Sequence, residues 1–157
     1  MTLAHAMWIH GNSLQVEGAP DPLGVVRTGF SARCAVPHIH TESWSYWFHF
    51  AIPTPVIVDN KRLRVGSVLV RFRTLNTLIT AIHVYDGENK IAVKEWSGLR
   101  TWDRKWSSEK VEVPGNPEIL WGLGISILVE FPAPDILHFE HFDAQEIEFS
   151  AAGCDFL

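Results

Sequence analysis

Helical periodicity is nearly absent from this chain of 157 residues. Basic charge is also short. Thirteen Lys and Arg stand against 18 Asp and Glu, for a net charge of −5, and phosphate binding needs a clustered basic surface. The nearest such group is KRLR at 61–64, followed by Arg71 and Arg73, which share one face of a strand. They are expected to form a solvated edge that resists strand addition, and no nucleic-acid partner is expected. The two cysteines, Cys34 and Cys154, belong to no CxxC or zinc-spaced pair, so buried free thiols are expected rather than a disulfide framework. No stretch approaches the roughly 20 apolar residues of a membrane helix. The start, MTLAHAMWIHG, has no basic n-region or long apolar run. The cytoplasm is therefore the expected location and no membrane partner is expected, although unconventional export would leave no mark. Ser43, Ser45, Ser107, Ser108 and Ser126 lack a nucleophile elbow, and no phosphate-cradling glycine loop is present.

What is present is period two. Apolar content of 46% with 20% charged residues is globular composition, and the length suits one domain over residues 1–157. Proline and glycine punctuate short alternating runs. GVVRTGFSARCAV (24–36) sets Val26, Phe30, Ala32 and Cys34 on one face. WSYWFHFAI (44–52) stops at the proline pair of 53–55, because proline cannot continue an interior ladder. LITAIHVYDGENKIAVKEW (78–96) reads as a hairpin about DGEN. In 121–131, Leu123, Ile125, Ile127, Val129 and Phe131 share a face, opposite Gly122, Gly124 and Ser126. Those small residues suit close packing on another backbone. About ten short strands at this spacing define an all-β antiparallel sandwich of jelly-roll type.

Histidine and tryptophan carry the candidate chemistry. In HIHTE, an extended backbone points His38, His40 and Glu42 to one face, the imidazoles roughly 6.6 Å apart. That set suits an open three-ligand site for a divalent metal, the one cofactor the sequence admits. His138 and His141 have opposite strand parity and do not converge. His49 shares a face with Trp47 and Ala51, while Trp44, Tyr46, Phe48 and Phe50 take the other. Trp8, Trp47 and Trp121 lie in strand-like runs and are assigned to the core. Trp96, Trp102 and Trp106 fall in a polar stretch where an indole must cover the core, meet a subunit or contact a ligand. Arg100, Arg104 and Lys105 stand ready to stack on them.

HAMWIHGNSLQVE near the start, WFHFAIPTPVIVD at 47–59, FRT at 72–74, HVYDG at 83–87, GNPEILWGLGISI at 115–127 and SAAGCDF at 150–156 span nearly the whole length. In these stretches the chain resembles a bacterial family of small all-β domains of unknown function. The resemblance implies one domain and brings no activity. CAVPHIHTESWSY and WSGLRTWDRKW depart from its pattern.

The reading favoured by these residues is a non-catalytic binding or assembly domain. Its aromatic surface, built from Trp44, Trp47, His49, Arg100, Trp102 and Trp106, suits a sugar, free or within a glycan, or a flat apolar metabolite. A small enzyme is the rival, either metal-dependent through HIHTE or a cofactor-free lyase or cyclase using His49. A homo-oligomer that buries its rings between subunits is the third.

Overall fold

The computed structural model describes residues 5–18, 22–37, 42–133 and 144–157. In chain order the strands are β1 (His5–His10), β2 (Gln15–Val16), β3 (Gly24–Arg27), β4 (Ala32–Val36), β5 (Trp44–Ile52), β6 (Ile57–Val58) and β7 (Lys61–Arg62). They continue as β8 (Val65–Leu75), β9 (Leu78–Asp86), β10 (Asn89–Leu99), β11 (Ser107–Glu112), β12 (Leu123–Phe131) and β13 (Gln145–Phe156). The only helical turn among the described residues is a 3-10 turn at Gly11–Ser13. Among the described residues no helix is long and apolar enough to cross a membrane. Three of the 13 strands are two-residue segments, too short to leave an alternating signature. Alternation predicts about ten strands; it runs β3 and β4 together as one stretch and does not find β11.

Two sheets pack face to face, and every described pairing is antiparallel. A six-stranded sheet runs β11-β8-β13-β4-β3, with β1 alongside the C-terminal half of β13. A five-stranded sheet runs β10-β9-β12-β5-β2. Alternation explains how they meet. In β12 every odd residue from Leu123 to Phe131 is buried and every even one half-exposed, and in β5 Phe48, Phe50 and Ile52 face inward. Phe48 and Phe50 reach Phe149 of the opposite sheet, with ring centroids 5.6 and 5.8 Å apart. Cys34 and Cys154 lie in this core as free thiols, each pushed up to about 12 by burial.

Local chemistry ends the strands where expected. Asp86 pairs with Asn89, which leaves Gly87 and Glu88 as a two-residue turn with Gly87 at φ 57°. The Asp86 carboxylate is buried and accepts backbone N–H bonds from Leu120, Trp121 and Gly122 at 2.8, 2.8 and 3.0 Å. Burial raises its pKa, but these three donors, with Arg62 nearby, outweigh burial and hold it below the ordinary 3.8. Asp86→Ala should cost about 1.5–3 kcal/mol, as expected when a charged acceptor is lost and its donors are left unpaired. Because the folded pKa is depressed, the contribution is present above pH 3.8 and is lost as pH falls through the lower folded value. Denaturant melts of both proteins should therefore converge at acid pH. A gap that persists undiminished there contradicts the assignment.

Several expectations need correction. Val26 and Phe30 are 49% and 57% exposed, because a turn at 28–31 separates β3 from β4 and resets the alternation; Val25 packs toward the core instead. Trp8 and Trp121 are 47% and 70% exposed and Trp47 is half-exposed, so none of the three is core. Trp8 lies on the outer face of the six-stranded sheet against Gly153, where an added Cβ would sit 2.5 Å from the indole. Trp121 precedes β12 and rests on Gly87. Arg71 and Arg73 point outward from β8, an interior strand rather than an edge.

Candidate binding face

The outer face of the five-stranded sheet is where ring-bearing and hydrogen-bonding side chains converge. Inward packing of Phe48 and Phe50 turns Trp47 and His49 to this face, and both are half-exposed. Register brings His49 beside Ser126 of β12, and Ser126 beside His83 of β9. One step along, Ala51, Gly124 and Tyr85 form the neighbouring row. An added Cβ on Gly124 would meet nothing within 4 Å. The small residues of β12 are therefore not packing under another backbone, as expected, but lower the middle of an open face.

Across that low strand the rings approach each other. Trp47 and His83 have centroids 4.7 Å apart, tilted by 51°. His83 continues to Tyr85 at 6.2 Å, with its Nδ1 3.4 Å from the Tyr85 hydroxyl. The result is an oblique aromatic strip, Trp47–His83–Tyr85, beside a shallow floor of Ala51 and Gly124. Burial lowers the His83 pKa below the ordinary 6.5, Lys90 lowers it further, and Glu95 opposes them. At neutral pH the ring is uncharged, a stacking surface rather than a cation.

His49 anchors the polar side. Its Nε2 lies 3.0 Å from the Glu17 carboxylate and its Nδ1 2.8 Å from the Ser126 hydroxyl. With a carboxylate at Nε2, that nitrogen donates, and Nδ1 accepts from Ser126. Acid, imidazole and hydroxyl in series have the connectivity of a nucleophile relay. The backbone around Ser126 argues against that use. β12 is paired on both sides, to β5 and β9, so its N–H groups are committed to the ladder and supply no oxyanion hole. The series uses both ring nitrogens of His49 and fixes the orientation of its ring.

The residues expected to share one surface are divided. Trp47 and His49 are on this face. Trp44 has the opposite parity and packs against the core, so it leaves the proposed surface. The 100–106 segment crosses from β10 to the other sheet. There Trp106 lies under Arg73 and Arg71 of β8, 4.6 and 5.8 Å from the guanidinium carbons. Arg100 covers Trp102 at 4.5 Å, and Trp102 is 70% exposed. The sandwich core separates Trp106 from Trp47. His38 and His40, like His138 and His141, lie outside the described residues; Glu42 is exposed on a bend just before β5. Among the described residues no group of three His, Cys, Asp or Glu is placed to hold a metal ion. Glu17, His83, Tyr85, Gly124 and Ser126 were not singled out as site residues from the sequence. HVY puts His83 and Tyr85 on one side of a strand, but only the order β9-β12-β5 brings them to Trp47.

The two-sheet antiparallel sandwich is a fold shared with solved structures of known proteins. The chain is similar to a family 61 module solved in complex with β-1,4-galactotriose, at 17% identity and a TM-score of 0.53 over 94% of this chain and 88% of that one. It is also similar to a family 29 module, at 11% identity and a TM-score of 0.51 over 96% and 91%. A third likeness is to the C-terminal family 6 module of a laminarinase from Zobellia galactanivorans, at 9% and 0.50 over 96% and 99%. At these identities the likeness is one of fold. By sequence the chain belongs to a family of unknown function, DUF6623, which it matches over residues 2–155. No curated protein matches it.

Proposed function

We propose that this domain binds carbohydrate, without catalysing a reaction, on the outer face of its five-stranded sheet. The observation that carries the reading is the Trp47–His83–Tyr85 strip beside the oriented His49. A pyranose ring presents C–H faces that stack on aromatic rings and hydroxyls that need polar partners; the strip supplies the first, and the Tyr85 and Ser126 hydroxyls and the Glu17 carboxylate beside it the second. The three solved structures described above are carbohydrate-binding modules, which supports the same class.

Titration calorimetry against a panel of oligosaccharides, beginning with β-1,4-galactotriose, tests it. Trp47→Ala should weaken the best ligand about thirtyfold or more, as removal of a central aromatic anchor does. The melting temperature should change little, because Trp47 is not in the core. No saccharide binding, or equal binding by the variant, overturns the reading.

Assembly is a second reading, favoured by one observation. Leu120 and Trp121 are 48% and 70% exposed beside the β6–β7 hairpin, where Ile57 is 59% exposed. A symmetric dimer would cover such a patch. Sedimentation at micromolar concentration should then show twice 17.7 kDa; a monomer removes this reading.

A further inference from the structure

The opposite sheet carries a second arrangement that the carbohydrate face does not use. On its outer side Glu148 of β13 stands between Arg33 of β4 and Arg73 of β8 in register. Glu148 is buried, and both its carboxylate oxygens are taken. The Ser31 hydroxyl donates to Oε1, and Arg73 Nε donates to Oε2 at 2.5 Å. That pair satisfies folding. Arg33 adds a second guanidinium to the same row and has no hydrogen bond or ion pair with any described residue, although it lines the same depression. Arg104 enters the depression from the 100–106 crossover and reaches Glu146 only at 3.6 Å. Asp103 and Arg104 both hold left-handed backbone, φ 52° and 53°, a conformation uncommon for residues with side chains. Arg73 lies over Trp106, with its two terminal nitrogens not engaged by Glu148.

Three guanidiniums therefore face two carboxylates, an excess of one positive charge in a chain whose net charge is −5. Glu148, directly opposite both Arg33 and Arg73, offsets part of their repulsion, but it gives Arg33 no hydrogen bond. We propose that the Arg33–Arg73–Arg104 depression binds an oxyanion group, a carboxylate or a sulfate ester, carried by a small ligand. Guanidinium forks match such groups with paired, charge-assisted hydrogen bonds. The proposal does not rest on the carbohydrate reading of the other sheet, and Trp47→Ala leaves this site untouched.

The test is a titration of the whole chain with sodium glucuronate, glucose 6-sulfate and glucose at low ionic strength. It is followed through the arginine Nε–Hε signals by NMR. Saturable shifts at Arg33 and Arg73 are expected with at least one anion and none with glucose. Response to glucuronate alone assigns a carboxylate, and response to the sulfate alone assigns a sulfate ester. Arg33→Ala should weaken binding about tenfold, the loss of roughly one charge-assisted contact, with the melting temperature unchanged. Arg104→Ala should weaken it as well. The absence of saturable shifts with both anions overturns the proposal. So does an Arg33→Ala protein that binds as the unaltered chain does.

Discussion

Phe48→Ala is expected to destabilise the domain by about 3–5 kcal/mol, and His49→Ala, one residue on, by far less. Phe48 has no exposed surface and meets Phe149 across the sandwich. Truncation leaves a cavity between two sheets that cannot collapse without breaking their registers. For a domain of this length the loss corresponds to a melting temperature lower by roughly 6–20 °C. The His49 ring keeps about a third of its surface in water, 34%, and its partners Glu17 and Ser126 can turn to solvent when it is removed. Thermal melts of the two variants check the contrast. Comparable losses would mean that β5 is buried on both sides, and the binding face would not exist.

Gly11→Ala is expected to disrupt the packing of the N-terminal segment against β13. The 3-10 turn at Gly11 is pressed into β13 where Ser150 is an extra residue between the paired Phe149 and Ala151. An added Cβ would lie 2.0 Å from the Phe149 carbonyl oxygen and 2.9 Å from Ser150 Cα. Both are backbone atoms, so relief requires the segment to move rather than a rotamer to change. Overpacking of this kind costs about 1–3 kcal/mol and more where backbone must shift. Amide exchange should show lost protection in β1 and around Ser150, with β9 and β12 unaffected. Full protection in β1 would contradict the packing described.

The contrast between these glycines and the strands shows what the sequence makes legible. Alternation exposed β5 and β12 because each packs one face on the core, and the DGEN turn marked its hairpin by chemistry local to four residues. Membership of a sheet is set by pairing between distant strands, and no local pattern carries it. Trp47 and Trp106 therefore read as neighbours in one aromatic surface although they lie on opposite sheets. Trp8 and Trp121 read as core because indole is large and apolar. Yet Trp8 finds cover on the flat surface of Gly153, and Trp121 rests against Gly87. In the candidate site, His49 and Trp47 were legible from parity alone. Their partners Glu17, Ser126, His83 and Tyr85 come from β9, β12 and the residue after β2, whose register only the fold supplies.

The central claim, that saccharide binds on the outer face of the five-stranded sheet, is tested most directly by mapping where a bound sugar shifts NMR signals. With β-1,4-galactotriose, or whichever oligosaccharide binds best, the account predicts shifts at the Trp47 indole, the His83 and Tyr85 rings and the Gly124 and Ser126 amides. Signals of Trp8, Arg71 and Trp106 should stay in place. Shifts confined to the six-stranded sheet or to the ends of the sandwich, with the Trp47–His83–Tyr85 strip silent, would contradict it.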